Sequence, residues 1–401
     1  MTQGKSEVQT GNLKVPDFNN TEIAFRGKSK EDLNRAYWLF KIISSNFLTK
    51  VGPGLTNSAI KMGLPVIPLI KKTIFAQFCG GETIEESDGT IEQLARGGVG
   101  TILDYSVEGE QDEKSFIQTT EEILSIIRKA KTDQRIPLTV FKPTGIARFG
   151  LLKKVTAKET LSTAEQAEYF KVKARVNQIC RLAYELEVPV MIDAEETWIQ
   201  GAIDDMAIEM MRHYNREEAI VYNTYQLYRN DKLASLQADV YLAETDGFIL
   251  GAKLVRGAYM EKERERAQRL GYPSPINDSK EATDREYNEA LRFCIQHIEH
   301  TAFVAGTHNE QSCRLLAELI NQYGLAHNHP HLYFSQLLGM SDNLSFNLAD
   351  AGYNVTKYVP YGPVKAVLPY LFRRAQENTS IAGQTSRELN LIIREKERRR
   401  A

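Results

Sequence analysis

The sequence predicts an α/β protein in which one (β/α)8 barrel follows an N-terminal helical segment. Eight β-rich runs alternate with helical stretches, and 401 residues with 42% hydrophobic content are enough for such a barrel and its core. The predicted strands cover 101–106, 137–145, 188–196, 219–226, 248–259, 301–309, 331–339 and 354–362. An open doubly wound sheet would normally use fewer strands, so one closed barrel is the more economical interpretation.

Composition divides the chain into four parts. Residues 1–30 are polar and aperiodic, which predicts a flexible arm, whereas 31–99 carry apolar residues at helical spacing, which predicts short helices packed on the barrel. The catalytic barrel is predicted over 100–385, and the charge-rich residues 386–401 are typical of a frayed tail. Two long intervals, an extra helix in 146–187 and a loop at 260–280, are expected to line the barrel mouth.

Charge and cysteine content exclude several classes of function. Lys and Arg number 50 against 52 Asp and Glu, a net charge of −2, so no nucleic-acid partner is expected. The four cysteines lack the spacing of a disulfide framework or a zinc site, and no metal site is predicted. The N-terminus resembles neither a secretory signal nor a transit peptide, and no run approaches the roughly 20 residues that span a bilayer. A cytoplasmic location is therefore expected.

Polar residues stand at the ends of all eight predicted strands. In this fold the active site lies at the carboxyl ends of the strands, so such residues are expected to meet at one mouth. In chain order they are Asp104, Lys142, Asp193 with Glu195 and Glu196, Gln226, Lys253 with Arg256 and Tyr259, Thr307 with His308 and Asn309, Gln336, and Tyr358 with Tyr361.

The last helix of the predicted barrel carries a second polar set. Tyr370, Arg373, Arg374 and Glu377 are spaced at i, i+3, i+4 and i+7, so they share one helix face. Adjacent guanidinium groups can each form a two-pronged bond with a carboxylate. This face is predicted to bind an anionic substrate, although an ordinary solvated helix can show the same spacing.

Five strings in these regions closely resemble the FAD-dependent proline dehydrogenases, in their stand-alone form. They are KLVRGAY (253–259), DAEE (193–196), GTHN (306–309), QLLGM (336–340) and YVPYGPV…YLFRRAQEN (358–378), within a resemblance that runs from about 72 to 378. The resemblance implies oxidation of L-proline to Δ1-pyrroline-5-carboxylate by hydride transfer from proline C5 to flavin N5, with FAD as cofactor. It also implies a membrane quinone as electron acceptor and a downstream pyrroline-5-carboxylate/glutamate-semialdehyde dehydrogenase.

The resemblance also implies roles for individual residues. Asp104 and Lys253 would be catalytic, and Lys72 would reach the substrate and ion-pair with Asp104. The other predicted substrate-binding residues are Tyr259, Leu338, Tyr358 and Tyr370 around the proline ring and Arg373 and Arg374 at its carboxylate. The predicted cofactor-binding residues are Tyr105, Gln226, Arg256, Gly257, Ala258, Thr307, His308 and Glu377. Lys253 stands where many bacterial members have arginine, so it keeps the charge and loses the guanidinium fork.

Reduction of a quinone implies peripheral contact with a membrane, and the apolar segment 45–71 is the candidate surface. The expected location is a bacterial cytoplasm, with possible contact at the inner membrane. Two other enzymes remain open on the residues alone. One is a lyase that forms a Schiff base at Lys142 or Lys253, and the other is a metal-dependent hydrolase built on Asp193, Glu195, Glu196 and His308. A third, non-enzymatic alternative is an inert barrel whose N-terminal helices bind a partner.

Overall fold

The structure, a computed structural model, describes residues 15–43, 65–106, 112–380 and 384–400, with the side chains of 43, 375–380 and 384–386 excepted. Eight strands form one parallel sheet in the order β1-β8-β7-β6-β5-β4-β3-β2. Their bounds are β1 Gly100–Tyr105, β2 Thr139–Phe141, β3 Val190–Ile192, β4 Val221–Gln226, β5 Leu250–Val255, β6 Thr301–Gly306, β7 Leu332–Leu337 and β8 Val355–Tyr361. The predicted (β/α)8 barrel is confirmed.

The barrel is closed between β1 and β2 by contacts other than a strand ladder. Near the bottom of this seam the Thr101 amide donates to the Arg135 carbonyl at 2.8 Å. Near the top the Lys142 ammonium donates to both carboxylate oxygens of Asp104.

Helices precede the first strand, alternate with the strands of the sheet and follow the last strand. Within the described residues they are α1 Thr21–Phe25, α2 Lys30–Ile43, α3 Ile67–Ile70, α4 Ala76–Phe78, α5 Asp88–Arg96, α6 Glu113–Thr132, α7 Phe149–Thr156, α8 Thr163–Glu185, α9 Thr197–Tyr214, α10 Lys232–Asp246, α11 Met260–Leu270, α12 Lys280–Gln296, α13 Glu310–Gln322, α14 Asp342–Asp350, α15 Val364–Ser380 and α16 Gln384–Arg398. A π-helical turn, Lys71–Phe75, joins α3 to α4. The first half of the loop predicted at 260–280 is helix α11, as its Glu, Lys and Arg content favours.

Side-chain alternation along the strands places the polar residues inside the barrel. Ile102, Val140 and Met191 belong to one buried cluster inside the sheet, while Leu103, Phe141 and Ile192 belong to the larger cluster beneath the helices. Residues two positions apart on a strand face the same side. Two positions after Ile102, Val140 and Met191 come Asp104, Lys142 and Asp193. Their side chains therefore also face the barrel interior, at the carboxyl ends of the strands.

The N-terminal region differs from the predicted flexible arm over the residues described, 15–30. Phe18 is fully buried in the main core, and its carbonyl accepts a hydrogen bond from the Asn343 side chain at 3.0 Å. Asn20 caps α1 through its side chain, which accepts from the Ile23 amide. Burial of one aromatic ring and a capped turn therefore fix this segment against α14.

The C-terminal residues also differ from the predicted frayed tail. Leu391 and Ile392 of α16 are buried in a cluster with Leu33 and Phe40 of α2. The Arg399 guanidinium donates to the carbonyls of Phe25 and Lys28 at 2.7 Å each. The charges of this segment lie around an apolar stripe, so the segment packs as an amphipathic helix.

Among the described residues, no helix combines the length and the apolar character needed to cross a membrane. Segment 45–71 is the predicted membrane-contact surface, and its residues 45–64 lie outside the described residues. In the part that is described, Ile67 and Ile70 pack on a buried cluster with Leu368, whereas Leu69 is 65% exposed.

Candidate active site

Asp104 and Lys142 form an ion pair at the inner mouth of the barrel. The Lys142 Nζ lies 2.9 Å from Asp104 Oδ1 and 2.8 Å from Oδ2, and Ser106 Oγ donates a further hydrogen bond to Asp104. Asp104 is 1% exposed. A buried carboxylate of this kind requires a cationic partner, and Lys142 supplies it.

Asp193 and Lys253 form a second ion pair beside the first. Lys253 donates to Asp193 Oδ1, and the Tyr358 hydroxyl donates to Asp193 Oδ2 at 2.6 Å. Lys142 Nζ connects the two pairs because it lies 3.3 Å from Asp193 Oδ2 and 3.2 Å from the Tyr358 hydroxyl. Both ammonium groups also stand over the Tyr358 ring, at 5.5 Å for Lys142 and 5.3 Å for Lys253.

These five residues form a compact cluster of two carboxylates, two ammonium groups and one phenol. Burial alone would raise the pKa of Asp193, but Lys253, Lys142 and the Tyr358 hydrogen bond together hold it below its ordinary value. Burial, together with both carboxylates, raises the pKa of Tyr358 well above its ordinary value, which keeps this hydroxyl a proton donor. The formal charges of the cluster cancel, so an anionic ligand needs further positive charge from elsewhere.

Glu195 supports the loop that carries Lys142. The Thr144 amide donates to Glu195 Oε1 at 2.9 Å and the Thr144 hydroxyl to Oε2 at 2.6 Å. Burial raises the pKa of Glu195 to about 7, with a further contribution from the charge of Glu196. The Gln226 side-chain amide donates to the Glu195 carbonyl at 2.8 Å, which links the ends of β3 and β4.

The Arg256 side chain ties the ends of neighbouring strands together. It donates to Asp284 at 2.7 Å, to the Thr307 hydroxyl at 2.6 Å and to the Ser312 hydroxyl at 3.0 Å. Its guanidinium also stacks over the Tyr287 ring at 4.4 Å. This side chain is therefore used in holding the mouth together.

Gly257 follows Arg256 with a φ of 134°, a conformation that side chains rarely adopt, and a Cβ there would lie 2.6 Å from the Tyr228 ring. Gly257 and the next residue, Ala258, are exposed, and Tyr259 is half-buried. The backbone of this loop is therefore accessible at the mouth.

The predicted clamp on α15 is partly buried. Arg374 is 8% exposed, and its guanidinium lies 5.2 Å from the centroid of the Tyr370 ring, which is itself buried. Arg373 is half-buried one position earlier. Leu338 is buried at the end of β7, where its amide donates to the Tyr358 carbonyl at 2.9 Å. The Glu377 side chain lies outside the described residues.

His308 follows β6 and contacts the turn after β7. Its Nδ1 lies 2.9 Å from the Ser341 hydroxyl, and its Nε2 accepts from the Leu337 amide at 3.4 Å. Burial lowers the pKa of His308 to about 3, and the charges of Lys357, Arg374 and Arg256 act in the same direction. The imidazole is therefore neutral at physiological pH.

Lys72 does not form the ion pair with Asp104 that the resemblance implies. Lys72 is exposed on the π-helical turn, while the neighbouring Lys71 pairs with Glu82 at 2.5 Å. Lys142, rather than Lys72, is the partner of Asp104 in the structure. Predicting this pair required knowing how the turn orients two adjacent lysines, which chain spacing alone does not reveal.

Tyr105, a predicted cofactor-binding residue, lies on the outer side of the sheet. It follows Asp104 on β1 and faces the opposite side of the sheet, where its ring packs 5.5 Å from the ring of Tyr361. The Tyr361 hydroxyl donates to Glu122 at 2.6 Å. This layer lies between the strands and the helices, so the structure does not support a cofactor contact by the Tyr105 ring.

The sequence places Lys142 and Asp193 at predicted strand ends, but the resemblance assigns them no role in catalysis or binding. Both complete the buried cluster, and the alternation rule that places Asp104 inside also places them there. Ser106 and Ser341 were missed. Their contacts depend on loop geometry, for which the sequence carries no comparable signal.

The fold and the buried charged cluster at the strand ends define a (β/α)8-barrel enzyme. Comparisons with known proteins identify its kind: the model of the proline dehydrogenase family matches residues 87–387. The chain is 34% identical to "Proline dehydrogenase 1, mitochondrial" of Dictyostelium discoideum, over 95% of this chain and 74% of that one. It is 40% identical to the human protein of the same name, over 65% of this chain and 44% of that one. The chain belongs to the proline dehydrogenase family.

A bacterial relative is also similar over most of its length. The "Carbapenem antibiotics biosynthesis protein CarD" of Pectobacterium carotovorum is 34% identical over 80% of this chain and 83% of its own.

The Dictyostelium and human relatives are named as mitochondrial proteins. These two names do not bear out the bacterial cytoplasmic location that the sequence predicted.

Solved structures agree on the fold. Proline utilization A from Bdellovibrio bacteriovorus, inactivated by N-propargylglycine, superposes with a TM-score of 0.70 at 19% identity, over 90% of this chain and 38% of that one. A structure described as a bifunctional proline utilization A protein gives a TM-score of 0.65 at 20% identity, over 79% and 32%. The chain thus spans less than two fifths of the length of these larger proteins, whose likeness concerns the fold.

Proposed function

We propose that this chain oxidises L-proline to Δ1-pyrroline-5-carboxylate at the barrel mouth. The supporting observation is the buried cluster of Asp104, Lys142, Asp193, Lys253 and Tyr358, found in a chain of the proline dehydrogenase family. When bound, FAD would supply the hydride acceptor, with its N5 receiving the hydride from proline C5. The protein would bind the amino acid, orient it and control its protons.

The proline carboxylate would be held by Arg373 and Arg374. The charges of the cluster cancel among its own members, so it has no excess positive charge for an anion. Arg374 is buried beside Tyr370, where a charge-assisted hydrogen bond to a carboxylate is worth about 1.5–3 kcal/mol net. Tyr370, Tyr358 and Leu338, with Tyr259 at the rim, would enclose the ring.

The secondary ammonium of proline would face the carboxylates of the cluster. Loss of hydride from C5 leaves a C=N bond, so the amine must also give up a proton during the reaction. Asp104 and Asp193 would accept hydrogen bonds from the ammonium while Lys142 and Lys253 balance their charge. Lys142 and the Tyr358 hydroxyl connect these two carboxylates by hydrogen bonds. This connected set offers a route for that proton.

The residues on the β4 to β6 side of the mouth fit a flavin. The exposed backbone at Gly257 and Ala258 carries little or no side chain, so a flat ring system could approach it closely. Gln226, Lys253, Thr307 and His308 would contribute an amide, an ammonium, a hydroxyl and a neutral imidazole to this side of the mouth. This donor set suits the nitrogen and oxygen edge of an isoalloxazine ring. The Lys253 ammonium would supply positive charge there.

An absorption spectrum tests the proposal directly. The purified full chain should show the two visible bands of an oxidised flavin, and excess L-proline without oxygen should bleach them. The product should be trapped as the cyclic imine by o-aminobenzaldehyde. A colourless protein that gains no proline-dependent activity when FAD is added would refute the proposal.

The two other enzyme classes are less compatible with the geometry. A Schiff-base lyase needs a lysine whose amine is free to attack a carbonyl, yet Lys142 and Lys253 both sit in ion pairs with buried carboxylates. A metal hydrolase would need Asp193, Glu195 and His308 to converge. Instead they bond Lys253, Thr144 and Ser341 respectively, and the described residues contain no group of three potential ligands.

The electron acceptor would be a membrane quinone, reached through peripheral contact. Leu69 on α3 is an exposed large hydrophobic residue in the described part of the candidate segment 45–71. The imine product would pass to a dehydrogenase that acts on pyrroline-5-carboxylate or its open aldehyde form. A compartment that also holds a quinone-bearing membrane is the location this proposal requires.

A further inference from the structure

The turn between β7 and α14 is held in a strained conformation. It runs from Leu338 to Ser341, and Ser341 has a φ of 52°, in the left-handed region that non-glycine residues rarely adopt. Gly339 has a φ of 77°, and a Cβ there would lie 2.1 Å from the Gln77 carbonyl. Such conformations persist where the surrounding contacts over-determine them.

Three parts of the chain supply those contacts. Gln77 of α4 donates to the Gly339 carbonyl at 2.9 Å, and Lys357 of β8 donates to the Met340 carbonyl. Glu388 of α16 accepts from the Ser341 amide at 2.5 Å. Glu388 is 5% exposed, so this helix buries a carboxylate in order to bind the turn.

The hydroxyl of Ser341 connects the turn to His308. The Leu337 amide donates to His308 Nε2, so a neutral imidazole carries its proton on Nδ1 and donates it to Ser341 Oγ. Glu388, which accepts from the Ser341 amide, also interacts with the Ser341 hydroxyl. The sequence of contacts is therefore imidazole, hydroxyl and carboxylate, from the mouth of the barrel to its last described helix.

We propose that Glu388 is a positioning residue that acts through Ser341 to fix the orientation of His308 and the proton on its Nδ1. In this arrangement the C-terminal helix forms part of the support of the cofactor side of the mouth. The consequence for flavin binding rests on the proposed function, because it assumes that His308 borders the flavin. The consequence for the imidazole itself depends only on the contacts described above.

Imidazole nitrogen NMR on the full chain tests the positioning step. With ring-15N histidine, the wild-type signal of His308, assigned by its loss in His308→Gln, should show a protonated Nδ1 and an unprotonated Nε2. In Glu388→Ala we expect this pattern to change to the Nε2-protonated form or to an average of both. Glu388→Gln should preserve it, because the side-chain amide oxygen can still accept from the Ser341 amide and from the Ser341 hydroxyl.

Ser341→Ala provides a second variant that leaves the Glu388 contact with the backbone intact. It should produce the same change at His308, even if Glu388→Ala fails to fold. The matched control is Glu395→Gln on the same helix, where a buried glutamate bonds Arg398 and Arg399 away from the mouth. An unchanged His308 signal in Ser341→Ala, or an equal change in Glu395→Gln, would overturn the proposal.

Flavin titration gives a second readout. Glu388→Ala and Ser341→Ala should weaken flavin binding by roughly tenfold, the low end of the effect of removing the hydrogen-bond partner of a metal-ligating histidine. Glu395→Gln should bind flavin as tightly as the wild type. A wild type that binds no flavin would contradict the proposed function, while the NMR result would still decide the role of Glu388.

Discussion

Lys142 and Asp104 join the two strands between which the parallel ladder of the barrel is interrupted. The ammonium lies within 2.9 Å of both carboxylate oxygens, and this contact stands above the seam between β1 and β2. Because Lys142 also contacts Asp193 and Tyr358, one side chain joins the barrel closure to the candidate active site. Lys142 is therefore expected to affect both the stability of the barrel and the candidate active site.

Removal of Lys142 should destabilise the protein strongly. Lys142→Met leaves the Asp104 carboxylate buried without its cation, a change that typically costs about 3–5 kcal/mol. Urea denaturation followed by circular dichroism measures the loss. Lys131→Met serves as the control because its pair with Glu187 at 3.1 Å is solvent-exposed, and such pairs contribute about 0–1 kcal/mol.

The double variant Lys142→Met with Asp104→Asn separates the pair from the rest of the cluster. It should recover much of the lost stability, because the second change removes the uncompensated charge. Proline oxidation should remain lost, since both groups face the substrate in the proposed function. A loss below about 1 kcal/mol in Lys142→Met would show that this pair does not help close the barrel.

Arg374 should matter to substrate binding and not to flavin content. Arg374→Met removes a buried guanidinium, so the KM for proline should rise by at least about tenfold, as expected from losing one charge-assisted bond. Steady-state kinetics and the flavin-to-protein absorbance ratio measure the two effects. Lys365→Met, an exposed change on the same helix, should leave both unchanged. An unaltered KM in Arg374→Met would argue against the carboxylate clamp.

The strand pattern of this fold was readable from the sequence. All eight predicted runs contain or closely overlap an observed strand, because each β-rich run is bounded by turn residues and a helical stretch. The same alternation explains why the Tyr105 ring lies on the outer side of the sheet. Two adjacent residues on one strand face opposite sides, so Asp104 and Tyr105 cannot both point into the barrel.

Contacts between distant segments were less accessible. The pairing of Lys142 with Asp104, where the sequence predicts Lys72, depends on the π-helical turn that leaves Lys72 exposed. The C-terminal helix did carry a signal: Glu388, Leu391, Ile392 and Glu395 are spaced at i, i+3, i+4 and i+7, and all four are buried. Because two of these four residues are glutamates, the high charge content of 386–401 led to the prediction of a frayed tail instead of a packed helix.

Glu195 should make stability depend on pH. Its pKa in the folded chain, about 7, lies above the ordinary 4.5, because burial disfavours the charged carboxylate. Its contribution to the free energy of unfolding is therefore fully present below pH 4.5 and is lost as pH rises through 7. The shift corresponds to at most about 3 kcal/mol. In Glu195→Gln this loss is absent, so the variant should gain stability relative to the wild type between pH 4.5 and 8.

Chemical denaturation at several pH values measures that difference. Glu121→Gln, a change on the exposed face of α6, is the control and should show no comparable trend. A constant difference between Glu195→Gln and the wild type across this range would mean that Glu195 ionises equally well in the folded and unfolded chain.

Leu69 should contribute to membrane contact. A leucine that is 65% exposed on α3 gains from transfer into a lipid interface, so wild-type protein should float with phospholipid vesicles more than Leu69→Ser does. Ile117→Ser on α6 is the matched control, since Ile117 is 53% exposed on another face. Equal flotation of Leu69→Ser and wild type would exclude this residue from the contact.

Tyr358 should select proline over trans-4-hydroxyproline. Two ammonium groups contact its ring and Asp193 accepts a hydrogen bond from its hydroxyl, so these contacts oppose movement of the ring away from a C4 substituent. Tyr358→Ser should shift the kcat/KM ratio toward hydroxyproline by about 1–3 kcal/mol of steric relief. Tyr358→Phe keeps the ring and loses the hydrogen bonds, so it should lower kcat/KM for both substrates without changing their ratio. If both variants change the ratio equally, the hydroxyl rather than the ring sets the preference, and if neither does, Tyr358 does not border C4.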